Sequence, residues 1–428
     1  MRKTKRPITA LLTAVLLLLV SVPVQAVTVN NGTIEEAVSN SIEGWPAALD
    51  TFSETAVVID ADTGAVLYDK GKDSVRYPAS ITKLMTLLLA VENCALDEEV
   101  TFTETGVRDV TADSTNIGMQ LGEVMSMESC LYALVIQSAN EVAAQIAEYV
   151  GGTEAEFVNM MNRRAKELGC QNTNFVNASG LPDENHYTTA YDMAKIMRAG
   201  LKNKTFRKII QTQTYVIPAT NMSEERRLHT HLPLLAEESP LYYEGCIGGK
   251  TGVTSVALNT LVVGAERDGE TYIVVTMRDA ELSQNCSDST ALLDYAFQNF
   301  EHLDVNGLGT LTVPVGTSLD ALETKEAEKN GVKLLQYYFG GQYVGVSRVE
   351  TPEPESSGEV EEAEDADQLP LYQEDGGSDE QQEPVREEKG LSDLTKFLFT
   401  VMGFMALILL VLVVALVMKN RKRKHKVK

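Results

Sequence analysis

An α+β fold is predicted for the central part of this chain, and three observations predict it. Ala56-Val57-Val58-Ile59-Asp60 and Ala65-Val66-Leu67-Tyr68 are strand-like runs about a tight Asp62-Thr63-Gly64 turn, which is a hairpin signal. A series of helical patterns follows. From Thr214 the signals return to strands, and a last helix closes the segment. This order suits one antiparallel sheet with helices packed on it and between its halves.

Taken in order, residues 27–50 are polar and mixed and read as a lead-in. After the hairpin, Leu84 to Val91 is apolar on nearly every side, which reads as a buried helix ending near Asn93. Residues 95–125 carry short strand and turn signals. Met127 to Ile136 is a second apolar helix; Gln137-Ser138-Ala139-Asn140 breaks it, and helix resumes at Glu141 until Gly151-Gly152. Thr153-Glu154-Ala155-Glu156 is a capping box, and Gly169 ends the helix it opens. Thr189 caps a further helix around Ala194-Lys195-Ile196. Thr260 to Gly264 and Thr271 to Thr276 are the best later strands, and Ser289 to Phe300 is the closing helix. Residues 301–349 hold short strand-like runs and are expected to form a small β module.

Charge is placed unevenly. The formal net charge is -24, and residues 350–390 alone hold 16 Asp/Glu against 2 Lys/Arg, a net of -14. An acidic body argues against nucleic acid as a partner, because phosphate binding needs clustered Lys and Arg. Both ends are basic for another reason. Arg2, Lys3, Lys5 and Arg6 precede an apolar run from Ala10 to Val20 and then Val24-Gln25-Ala26, the layout of a signal peptide cut after Ala26. Phe397 to Met418 is free of charge, long enough to span a bilayer, and is followed by seven Lys/Arg between Lys419 and Lys428. The expected plan is a signal peptide at 1–26, the lead-in at 27–50, a main domain at 51–300 and the β module at 301–349. A disordered acidic linker at 350–396, a transmembrane helix at 397–418 and a cytoplasmic tail at 419–428 complete it. That plan exports the body and tethers it to the cell membrane. The five cysteines are widely spaced with no C-x-x-C, so neither a disulfide framework nor a zinc site is indicated, and nothing calls for a metal or cofactor.

Three short patterns carry chemistry. Ser80-Ile81-Thr82-Lys83 opens the first apolar helix, where one turn brings i and i+3 together. A lysine whose pKa is lowered by burial can take the proton of a serine nucleophile. Ser138-Ala139-Asn140 stands at the helix break, and Lys250-Thr251-Gly252 follows Gly248-Gly249. Each is weak alone. In this order, S-x-x-K, S-x-N and K-T-G are the signature of serine acyl-transferring enzymes of the penicillin-binding and β-lactamase type. Ser80 would attack and Lys83 act as its base. Ser138 would pass a proton to the leaving amine, with Lys250 polarising that shuttle. Asn140 would hold Lys83 and a substrate amide, and Lys250 with Thr251 the terminal carboxylate. Gly252 would allow close approach, and the backbone N–H groups of Ser80 and Val253 would form an oxyanion hole.

The surrounding wording is narrower. Tyr77 to Thr86, Val58-Ile59-Asp60 with Thr63 to Tyr68, Asn177…Gly180-Leu181, His186-Tyr187-Thr188-Thr189-Ala190 and Asp192-Met193-Ala194 closely resemble the D-alanyl-D-alanine carboxypeptidases, the low-molecular-mass penicillin-binding proteins. The resemblance covers roughly 50–300. It implies a β-lactamase/transpeptidase-like fold with a five-stranded antiparallel sheet, and removal of the terminal D-alanine from peptidoglycan stem pentapeptides. It also implies acylation of Ser80 by β-lactams. This chain departs from the pattern at Val253-Thr254, at Ala257-Leu258 where an Ala-Gly pair is usual, and at Asn285 where an arginine is usual. His186 falls in a family motif with a structural role expected; His229 and His231 are weak candidates. Two alternatives stay open: a β-lactamase, although the E-x-x-L-N wording of class A is absent, and a weakly catalytic cell-wall-binding or regulatory member.

Overall fold

A computed structural model describes residue 29 and residues 32–349, apart from 112 and 113. The signal peptide, the acidic linker, the transmembrane helix and the basic tail expected from the sequence lie outside the described residues. Among the described residues, no helix is long and apolar enough to cross a membrane.

Along the chain, β1 (Thr55–Asp60) and β2 (Val66–Lys70) form the expected hairpin, followed by a 3-10 turn at Ala79–Thr82 and α1 (Lys83–Asn93). After β3 (Glu99–Thr101) and β4 (Val124–Ser126) come α2 (Met127–Ile136), α3 (Asn140–Gly151), α4 (Glu154–Glu167), α5 (Ala190–Leu201) and α6 (Lys204–Ile210). Then come β5 (Thr214–Ile217), β6 (Arg226–His229), β7 (Cys246–Thr254), β8 (Leu258–Arg267), β9 (Glu270–Asp279) and α7 (Leu282–Asn299). The last five strands are β10 (Phe300–Asp304), β11 (Thr310–Pro314), β12 (Glu323–Lys329), β13 (Val332–Phe339) and β14 (Gln342–Arg348). Side-chain caps set the helix starts: Ser126, Thr153, Thr189 and Asn203 each accept a backbone N–H two or three residues on.

The main sheet runs β2-β1-β9-β8-β7 and is antiparallel throughout. Side chains alternate between its two faces, so Val57, Ile59, Ile273, Val275 and Met277 enter one core with helices α1 to α6. Ala56, Val58, Tyr272 and Val274 enter a second core with α7. Burial on both sides explains why these strands read as unbroken apolar runs rather than alternating ones. The second sheet, ordered β10-β11-β14-β13-β12, contributes Leu311, Val313, Tyr337 and Val344 to that second core. Polar bonds add to the joint: Thr63 Oγ1 lies 2.6 Å from Thr312 Oγ1, and His302 Nε2 lies 2.6 Å from Asp60 Oδ2.

Two elements differ from expectation. The closing helix begins at Leu282, seven residues before Ser289, because its first turns (Ser283-Gln284-Asn285) are polar and carry little periodic signal. Lys250-Thr251-Gly252 lies within strand β7 itself, not ahead of the strands. Gly249 serves a tight sheet, since a Cβ there would meet Val262 O at 2.0 Å.

Candidate active site

The nucleophile turn is wedged between two glycines. A Cβ on Gly180, which has φ +87°, would lie 1.8 Å from Ala79 O. A Cβ on Gly252 would lie 2.7 Å from Ser80 N and 2.6 Å from Thr260 Oγ1. Only glycine lets β7 and the 177–181 loop come this close to the start of α1. Thr260 Oγ1 reinforces the contact, 2.9 Å from Pro78 O and 3.2 Å from Gly252 O, sharing its proton between them. Ala79 itself takes φ 51°, a left-handed conformation held by this packing.

Lys83 is fully buried at the first position of α1, and its Nζ has three partners. Nζ donates to Ser80 Oγ at 3.1 Å, to Asn140 Oδ1 at 2.7 Å and to Ser179 O at 2.6 Å. Burial, followed by the nearby charge of Lys250, holds its amine well below the usual lysine range, against the opposing pull of Glu141 and Asp109. Lys250 is likewise buried, and desolvation lowers its pKa to about 7. Ser138 occupies the break between α2 and α3 at φ 60° and is almost wholly buried.

The structure therefore brings Ser80, Lys83 and Asn140 into direct hydrogen-bond contact and sets Gly252 against the backbone of Ser80. Thr251 and Val253 flank Gly252 on β7, Val253 with its side chain exposed. Among the described residues no hydrogen bond joins Lys250 to Ser138; Lys250 Nζ donates to Thr251 O at 2.8 Å. Asn285 also needs correction. It is buried inside α7 with Nδ2 on Thr276 Oγ1 at 3.0 Å, behind the sheet, so it cannot stand in for a carboxylate-gripping arginine. The cation beside the turn after Gly252 is Arg278, which donates to Val256 O and Glu54 Oε1.

His186 has a structural place. Its Nδ1 accepts the Val176 N–H, so the proton sits on Nε2 and is donated to Thr82 Oγ1 at 2.9 Å. Burial, the largest effect, lowers its pKa to about 4, and the neutral ring ties the 177–187 loop to the nucleophile turn. His229 and His231 are exposed. Residues that sequence reasoning missed include Ser179, whose carbonyl accepts from Lys83, and Thr260; Asn177, whose Oδ1 accepts the Ser179 and Gly180 N–H groups, was the available signal. Asp60, Asp62 and His302 could offer metal-ligand atoms within 4.8 Å of one another at the hairpin. There Asp60 Oδ1 already accepts from Asp62 and Thr63, and Oδ2 from His302.

A half-buried serine on a buried lysine and asparagine, between a helical region and an antiparallel sheet, defines a serine acyl-transferring enzyme of the β-lactamase/transpeptidase-like class. A family model described as D-alanyl-D-alanine carboxypeptidase matches residues 43–281. That is more than half of the chain, and the chain belongs to this family. It is similar to the D-alanyl-D-alanine carboxypeptidase DacF of Bacillus subtilis, 34% identical over 58% of this chain and 63% of that protein. A Streptomyces D-alanyl-D-alanine carboxypeptidase is 31% identical over 55% of this chain and 84% of its own length. The crystal structure of a D-alanyl-D-alanine carboxypeptidase from Mycobacterium tuberculosis superposes with a TM-score of 0.55 at 27% identity, covering 62% of this chain and 97% of that one. The chain spans just under two thirds of the Bacillus relative it matches.

Proposed function

We propose that this protein is a serine-type D-Ala-D-Ala carboxypeptidase that removes the terminal D-alanine from peptidoglycan stem pentapeptides. The observation that carries the reading is the buried Lys83 amine on Ser80 Oγ and Asn140 Oδ1. A neutral Lys83 takes the Ser80 proton as Oγ attacks the penultimate D-alanine carbonyl. Backbone N–H groups at Ser80 and Val253 receive the developing oxyanion. The tetrahedral intermediate collapses, the C–N bond breaks, and Ser138 delivers a proton to the departing D-alanine amine. Water then releases the shortened peptide and restores Ser80. Lys250 and Thr251 hold the terminal carboxylate. Penicillins follow the same first step and stay as stable acyl-enzymes.

The reading extends to placement. A signal peptide at 1–26 and a membrane helix at 397–418 would leave the catalytic part outside the cell membrane, with the acidic stretch between as a spacer. The basic flank after Met418 and the composition of 350–390 support it. The experiment is incubation with diacetyl-Lys-D-Ala-D-Ala. D-alanine release that Ser80→Ala abolishes is expected; no release, with Ser80→Ala indistinguishable from wild type, overturns the enzyme reading. Rapid turnover of penicillin would make it a β-lactamase instead.

A further inference from the structure

Asn140 is held by more than Lys83. Its backbone N–H donates to Thr115 O at 2.9 Å, and its side-chain Nδ2 donates to Ser114 Oγ at 3.0 Å. The same segment is tied back to α3 two residues on, where Ile117 N–H donates to Glu141 Oε1 at 2.7 Å. Three bonds thus lock residues 114–117 across the start of the helix that carries Asn140. Glu141 is fully buried, and its second oxygen, Oε2, is buried with no hydrogen-bond partner. Burial raises the Glu141 pKa, and a buried carboxyl left half-satisfied weakens a fold, so its place next to Asn140 needs a reason other than packing.

The ionisable groups that act on Lys83 come from every side of it. Lys250 reaches it from β7, Asp109 from the loop before residue 114, and Glu141 from α3, with neutral His186 on the Thr82 side. Of the two acids, Glu141 has the larger effect on Lys83. Asn140 also has two ends to place. Lys83 Nζ, donating, selects the Oδ1 end, and Ser114 Oγ, by accepting Nδ2, holds the other end of the amide in place.

We infer that Ser114 and Glu141 are positioning residues for acyl transfer. Ser114 holds the far end of the amide that presents Oδ1 to Lys83, and Glu141 anchors the 114–117 segment across it. The inference rests on the carboxypeptidase reading and adds two residues to it. Ser114→Ala removes the acceptor of Nδ2 and is expected to slow acylation by a fluorescent penicillin about tenfold, with Ser114→Thr restoring most of the rate. Glu141→Gln keeps an acceptor for Ile117 N–H but cannot ionise. Where wild-type Glu141 is ionised, Lys83 in the variant loses the support of that anion, so its titration moves to lower pH, and the acidic limb of the acylation profile moves with it.

Both are read on the full-length chain. Lys83 titration is followed by the carbon-13 shift of its Cε in lysine-labelled protein, which needs no turnover. Wild-type acylation in Ser114→Ala, together with an unmoved Lys83 titration in Glu141→Gln, overturns the inference. A shifted titration in a protein that releases no D-alanine leaves the clamp standing and sinks the carboxypeptidase reading alone.

Discussion

At the scale of single residues, two lysines share one buried site, and their charges are coupled. Lys83 is held low by burial and by Lys250, which suits a base that must be neutral before attack. Lys250, at about 7, changes charge in the working range. In the proposed reading its cationic form grips the substrate carboxylate, so that grip is present below pH 7 and is lost as pH rises through it. The KM for diacetyl-Lys-D-Ala-D-Ala is therefore expected to climb above pH 7 in wild type. In Lys250→Arg, whose guanidinium stays charged, the climb should vanish even if kcat falls. Steady-state kinetics from pH 5.5 to 9 checks both. Ser80, Lys83 and Asn140 were legible in sequence because their spacing is local and their order is specific. Ser114, Glu141 and Ser179 were not, because nothing in a sequence says which loop will lie across which helix.

Among elements, the β7–β8 turn shows what a departure from the family pattern means physically. Leu258, where the resemblance has glycine, takes φ 56°, a conformation that costs a leucine roughly 1 kcal/mol. Leu258→Gly is expected to raise stability by about 0.5 kcal/mol, once the greater chain entropy of glycine is subtracted. Urea unfolding measures it, and a loss of stability would show that the leucine side chain repays its strain. The hairpin β1–β2 and the caps at Thr153 and Thr189 were readable because each is closed by residues a few positions apart. The short helix α6 went unseen, since seven residues give too little periodicity to register.

At the scale of the whole molecule, the two sheets are joined across the hairpin by His302 and Asp60. Burial lowers the His302 pKa, but the Asp60 bond and charge outweigh it, so the folded pKa is raised above 6.5. A raised pKa stabilises fully below the unfolded value and loses its contribution as pH rises through the folded one. The advantage of wild type over His302→Gln in urea unfolding should thus be largest near pH 5.5 and small at pH 8.5. An equal difference at both would mean packing alone matters. The strongly charged edge strand β12 closes the second sheet with a surface that discourages pairing with another chain. If the acidic stretch 350–390 is the proposed spacer, about 40 such residues would span roughly 35 Å or more. Shortening it should lower activity on intact cell wall while sparing soluble peptide; equal loss on both would contradict the idea.

The sequence by itself determined the class of chemistry and the alternation of elements. Both rest on local spacing: serine to lysine over one helical turn, caps to the residues they cap, turn residues to their hairpin. What only the tertiary structure decided is which side chains meet across long separations. It set Asn285 behind the sheet and Arg278 beside the cleft, turned Lys250 toward a backbone carbonyl rather than Ser138, and closed residues 114–117 over Asn140. Arg278 to Glu54 spans 224 positions and Ile117 to Glu141 spans 24, and such contacts form only when both faces of one sheet are buried at once.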